Sequence, residues 1–155
     1  MTQFKLEGAA ALKAKLAEVS EDMRLRGGRA ALRRASALVV AKAKQNAMRL
    51  DDPETGRQIA FNIEQRWNGR LFRQTGNLGF RIGVAGTAKS ERSNPDLGLG
   101  GKTFHWRFLE LGTEKMAARP FMQPALESQA EAVGQEFIQQ YEAALDRALK
   151  RARKA

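Results

Sequence analysis

A single histidine, His105, stands between Phe104 and Trp106 in a chain of 155 residues that has no cysteine. Proton transfer by an imidazole needs a partner that orients the ring, and the local run FHWR supplies aromatic neighbours and no acid, so His105 reads as packing. Glu110 and Glu114 have the spacing of a carboxylate pair on one helix face, but Gly112 lies between them and argues against a regular helix; a surface or interface role follows. The stretch LGLGGKT resembles the end of a phosphate loop. A GxxxxGK[ST] pattern closing on Gly101, Lys102 and Thr103 requires glycine at 96, and Asp96 stands there instead, placing an acid where phosphate would approach. Without cysteine there are no disulfides, thiolate nucleophiles or thiolate metal ligands. No catalytic residue, cofactor-binding residue, cofactor or metal ligand is assigned, and the chain reads as not an enzyme.

Positive charge is the chemistry that remains. There are 27 Lys and Arg against 17 Asp and Glu, a formal charge of +10. Arg24, Arg26, Arg29, Arg33 and Arg34 fall close together, and the chain closes on KRARKA with Lys150, Arg151 and Arg153. Such a field draws polyanions through counterion release, or acidic protein surfaces through steering. The aromatic residues do not interleave with the basic run as stacking platforms would, and a solvated helix face explains the same residues without any partner.

The elements that must carry these residues follow from periodicity. One domain over residues 1–155 is the expectation from length. FKLEG reads as a short strand. Leu12, Leu16 and Val19 make one apolar helix stripe, and a second helix starts near Ser20 with Glu21 and Asp22 in its first turn; Gly27 and Gly28 interrupt it and point to a break or a kink. From Arg29 to Met48, Leu32, Ala35, Val39, Ala43 and Ala47 recur at three and four residues, until Pro53 and Gly56 end the helix. RQIAFNIEQRW fits either a helix or a strand, with helix preferred. Residues 78–85 alternate as a half-buried strand. Residues 86–103, rich in glycine and small polar side chains, predict a flexible loop, and FHWRFLEL a strand or a helical turn. Leu126, Ala130, Val133, Phe137, Tyr141, Leu145 and Leu149 then mark a long helix opened by Pro124, with a fraying basic tail at 150–155. The fold class is α+β: N-terminal helices, a small antiparallel β-sheet and a long C-terminal helix. No run is long and apolar enough for a membrane span, and none has signal-peptide character; a soluble, unexported chain is expected.

One stretch, WRFLELGTEKMAARPFMQPALE over residues 106–127, combines an acid, glycine, threonine, arginine and prolines with apolar residues. It resembles the siphophage head-tail joining proteins, the small neck or tail-completion family named after the tenth gene product of phage HK97 and distantly akin to the tail completion protein Z of phage lambda. Glu110, Leu111, Gly112 and Thr113 match that family's E-[FL]-G-T corner, and Ala118, Arg119, Pro120, Phe121, Met122, Pro124 and Ala125 match its helix entry. Thr55-Gly56 and RQTGNL at 73–78 resemble its turns; the long 86–103 loop and the form DDPETG depart from it. The resemblance implies a structural virion protein in the neck between head and tail, assembled in the host cytoplasm. It would form a homo-oligomeric ring that contacts the head connector and the tail tube or tail terminator, with DNA passing inside and no membrane. A tail terminator and a basic DNA-binding protein are the alternatives. On the residues themselves, Gly112 is expected at positive φ, Thr113 or Glu114 bonded to turn amides, Pro120 at an extended entry, Phe121 in the core and Pro124 at the helix start. Glu110 is expected to pair with Arg119 or with a neighbouring chain's arginine.

Overall fold

The computed structural model describes residues 8–17, 19–51, 54, 58–85 and 103–152. In chain order the elements are α1 (Ala9–Ala17), α2 (Glu21–Ala47), α3 (Ile59–Asn62), β1 (Ile63–Trp67), α4 (Gly69–Thr75), β2 (Phe80–Val84), α5 (Trp106–Leu111) and α6 (Met122–Ala152). This is the α+β class expected. The strand expected at FKLEG, residues 4–8, apart from Gly8, the stop at Pro53 and Gly56, the Thr55-Gly56 turn, all of the 86–103 loop except Thr103, and Arg153 lie outside the described residues.

The two strands form a two-stranded sheet. Asn68 N–H donates to the Gly79 carbonyl and Ala85 N–H to the Asn62 carbonyl, which fixes an antiparallel register. The segment that suited both periods contains both elements: Ile59–Asn62 is a single helical turn and Ile63–Trp67 is β1, so the helix preference holds only for its first half. Asp51 starts α3 by accepting from the N–H groups of Ile59 at 2.7 Å and Ala60 at 3.0 Å. α4 was not foreseen. Asn68 caps it by accepting from Leu71 N–H, and Gly76 closes it by donating to the Phe72 carbonyl; RQTGNL is thus the exit of a helix.

The chain divides into two compact units. A helical unit comprises residues 1–38, 66–81 and 130–155, and a corner unit residues 39–65 and 82–129. In the helical unit Leu12, Val19, Ala31, Ile138, Tyr141 and Leu145 form the core, with Leu16, Met23, Phe137 and Leu149 packed against it. Of the break or kink expected at Gly27 and Gly28, the break does not occur, for α2 is one helix of 27 residues. The glycines are where another element comes close. A Cβ on Gly27 would meet the Tyr141 ring at 3.2 Å, and one on Gly28 would meet Leu78 Cδ1 at 2.7 Å. Tertiary packing therefore offsets the roughly 1 kcal/mol that each glycine costs a helix. Tyr141 also donates its hydroxyl to the Arg24 carbonyl at 2.8 Å.

In the corner unit Val39, Ala43, Ala47, Ile59, Ala60, Ile63, Phe121 and Ala125 are buried. Asn62, also buried, donates to Thr103 Oγ1 at 3.0 Å. The α6 stripe departs from expectation at its start: Ala125 takes the buried position and Leu126 is 58% exposed. α6 also begins two residues before Pro124 and continues through Lys150 and Arg151 to Ala152, so the expected tail is in part helix.

Candidate functional site

The corner between α5 and α6 is built on a carboxylate. α5 delivers Glu110, half-buried, toward the start of α6. There Oε2 accepts from the N–H groups of Phe121 at 2.8 Å and Met122 at 3.1 Å, and Oε1 accepts from Gln123 N–H at 3.0 Å. A helix leaves its first four N–H groups without intrahelical partners. In α6 these belong to Phe121, Met122, Gln123 and position 124, and the last is proline, which has no N–H. One carboxylate and one proline thus account for all four, and the negative charge sits at the positive end of the helix dipole.

Within the chain this corrects the Arg119 pairing expected for Glu110. Its partners are backbone amides, and the exposed Arg119 guanidinium takes no part; the nearest groups needing an acceptor were the amides of a helix start. Arg119 contributes through its backbone, whose N–H donates to the Leu109 carbonyl at 2.7 Å. Between them the chain reverses in the turn Thr113–Met116, closed by two backbone hydrogen bonds, with Thr113 Oγ1 accepting from Lys115 N–H at 3.3 Å. Gly112 has φ 75° and ψ 179°, a region open to glycine almost alone. A Cβ there would stand 2.9 Å from Ala118 N and 3.0 Å from the Met116 carbonyl oxygen. Pro120 leads into Phe121, which is fully buried and whose carbonyl accepts from Asn46 Nδ2 at 3.1 Å. Pro124 is the third helical residue rather than the first.

The corner's chemistry is consumed by structure. Glu110 is occupied by three amides, while Glu114 lies exposed in the turn beyond the end of α5, so the two do not form a carboxylate pair. His105 is half-buried with its ring edge-on to Phe104. Among the described residues no group of three or more His, Asp or Glu could hold a metal, and no helix is long and apolar enough to cross a membrane.

α5 and the turn before it leave three apolar side chains outward beside the exposed Arg107: Phe104 is 65% exposed, Phe108 50% and Leu111 77%. These residues fall at i, i+4 and i+7, one face of a helix. Sequence reasoning missed this face because it signals itself only by a spacing shared with any buried stripe.

The basic residues are not gathered into one patch. Arg24, Arg26, Arg29, Arg33 and Arg34 are all exposed on α2, but at about 100° per residue Arg26, Arg29 and Arg33 share a side while Arg24 and Arg34 point elsewhere. Arg26 pairs with Asp22 at 3.0 Å, Arg29 lies 4.3 Å over the Trp67 ring, and Arg34 donates to Gln140 Oε1. Trp67 in turn contacts Phe72 and Phe80. Near the end of α6, Arg147 and Arg151 join Arg26 and Asp22 around a cleft of about 610 Å³ floored by Gly27, Ala30, Ala144 and Ala148, and Lys150 is exposed. Charge divides sharply between the units. Among described residues the helical unit has 14 basic and 6 acidic side chains, and the corner unit has 6 of each.

No curated protein and no solved structure matches the chain. One family model does, described as "Bacteriophage HK97-gp10, putative tail-component", and it aligns with residues 10–112. That span runs from α1 through α5 to the corner glycine, and it stops short of the helix entry at 118–125. With two thirds of its length matched, the chain belongs to the HK97-gp10-like family of phage tail components.

Proposed function

We propose that this tail component is a structural protein of the virion neck, part of a homo-oligomeric ring that joins the DNA-filled head to the tail. The observation that carries the reading is the corner. It commits its acid, its glycine and its prolines to holding α5 against the start of α6, and it turns an apolar α5 face outward. An outward apolar surface on a turn whose acid, glycine and prolines are committed to structure suits assembly. Glu110, Gly112, Thr113, Arg119, Pro120, Phe121 and Pro124 then act by shaping a subunit interface. The head connector and the tail tube or terminator are the expected neighbours.

The excess charge of the helical unit favours a second contact, with acidic neighbours or with DNA in the channel, through Arg24, Arg26, Arg29, Arg33, Arg34, Lys150, Arg151 and Arg153. Acidic protein neighbours are preferred, because the aromatic that meets these arginines, Trp67, is packed under Arg29 and against Phe72 and Phe80 rather than standing open as a platform for bases.

The test is electron microscopy of lysates from a phage carrying an early stop in this gene. Full heads beside separate tails of normal length are the expected result. Tails of uncontrolled length would move the assignment to tail termination, and intact particles in normal numbers would refute the joining role.

A further inference from the structure

We infer that one copy of this chain docks its α5 face, Phe104, Phe108 and Leu111, onto the first turns of α6 of a second copy, at Leu126 and Glu127. The inference rests on the ring reading above and names its contact. Every exposed large hydrophobic residue among those described, Met48, Phe61, Phe104, Phe108, Leu111 and Leu126, belongs to the corner unit. That unit is also the one whose described charges balance. Copies that each carry +10 repel, and they approach most cheaply where charge is least and apolar area greatest.

Charge sign then selects which surfaces meet. The α5 face is flanked by Arg107, exposed within the helix, so two α5 faces in contact would set like charges against each other. The start of α6 offers the reverse: Leu126, 58% exposed, next to the exposed carboxylate of Glu127. Arg107 lies 5.5 Å from the Trp106 ring centroid and Glu127 accepts from Gln123 Nε2 at 2.9 Å through one oxygen, so each keeps further donors or acceptors for the other when Arg107 of one copy stands opposite Glu127 of the next. Residues 86–102 are a poorer occupant, since their sequence supplies only Leu97 and Leu99 among glycines, charges and small polar residues. A contact between two different faces is heterologous and propagates head to tail until it closes.

The lack of native cysteine makes a disulfide test clean. Leu111→Cys and Leu126→Cys are made separately in the full-length chain, shown by circular dichroism to fold as the wild type, and oxidised mildly, alone and mixed. The mixture should give a disulfide-linked dimer that neither variant gives alone. Adding Arg107→Glu to the Leu111→Cys chain should lower the yield roughly two- to fivefold, the range of an exposed ion pair, and Glu127→Arg on the Leu126→Cys chain should restore it. Cross-linking of Leu111→Cys with itself at the mixture's level would overturn the inference in favour of a symmetric contact. Oligomers in sedimentation without the mixed cross-link would overturn it while leaving a ring built on other surfaces. A wild-type chain that stays monomeric at every concentration would overturn it too, and the lysate micrographs judge the neck reading separately.

Discussion

Replacing Glu110 by alanine removes the acceptor for three amides at once. Phe121 is buried and Met122 half-buried, so their N–H groups regain water poorly; leaving each without an acceptor costs about 1–1.5 kcal/mol, the low end for an unpaired buried donor. Gln123 is exposed and its amide rehydrates, adding about 0.5 kcal/mol, in the range of an ordinary N-cap loss. The expected destabilisation is about 2–4 kcal/mol. Glu110→Gln keeps one carbonyl acceptor but loses the charge and the second oxygen, and should cost about 1–2 kcal/mol. Arg119→Ala, which removes an exposed side chain outside the corner's hydrogen bonds, should stay within about 0.5 kcal/mol of wild type. Urea unfolding followed by circular dichroism measures all three, and hydrogen exchange should show the Met122 and Gln123 amides exchanging faster in both Glu110 variants. If Glu110→Ala unfolds with the wild type, or if Arg119→Ala is as damaging, the carboxylate does not hold this helix start and the reasoning fails.

Three further substitutions probe other contacts. Gly112→Ala should cost at least about 2 kcal/mol, because it combines a backbone conformation closed to side chains with contact against backbone atoms that cannot swing away; a chain as stable as wild type in urea would show that the turn can relax. Asp51→Ala should cost about 1–2 kcal/mol by uncapping α3, and exchange at the Ile59 and Ala60 amides reads it directly. Tyr141 is the chain's single tyrosine. Burial raises its hydroxyl above the ordinary value of 10.0, outweighing the nearby Arg24 charge that lowers it. A raised folded value means that its contribution is fully present below pH about 10 and is lost as pH climbs through the folded value. Tyr141→Phe should therefore lose about 0.5–1.5 kcal/mol at neutral pH and show a shallower alkaline fall in stability than the wild type; an unchanged alkaline limb would count against it.

The sequence made the long helices and β2 legible because their apolar periods are sustained. It misled at Gly27 and Gly28, since helix propensity is local while the Tyr141 ring and Leu78 that occupy the missing side-chain space come from far along the chain. α3 and β1 blurred together because each of the two periods holds for half of one short segment. α4 was hidden by its own signals: Asn68 and Gly76 look like turn residues, and here they are the two caps of a seven-residue helix. At the corner, the importance of Glu110, the positive φ of Gly112 and the burial of Phe121 were legible, but the partner of Glu110 was not. Opposite charge suggested Arg119, whereas the groups that most needed an acceptor were amides 11 to 13 residues away, which only the reversal at Gly112 brings within reach.

The cap on α6 also has a mechanical meaning. N–H groups at a helix start point along the helix axis, so tension drawing α6 straight away from α5 stretches the three bonds to Glu110 together, and they share the load. A force across the axis strains them in succession, each yielding before the next is stretched. The corner should resist pulling far better than prying. In a tail component, a joint with that anisotropy would hold under axial load and still yield to sideways leverage while it is fitted into place.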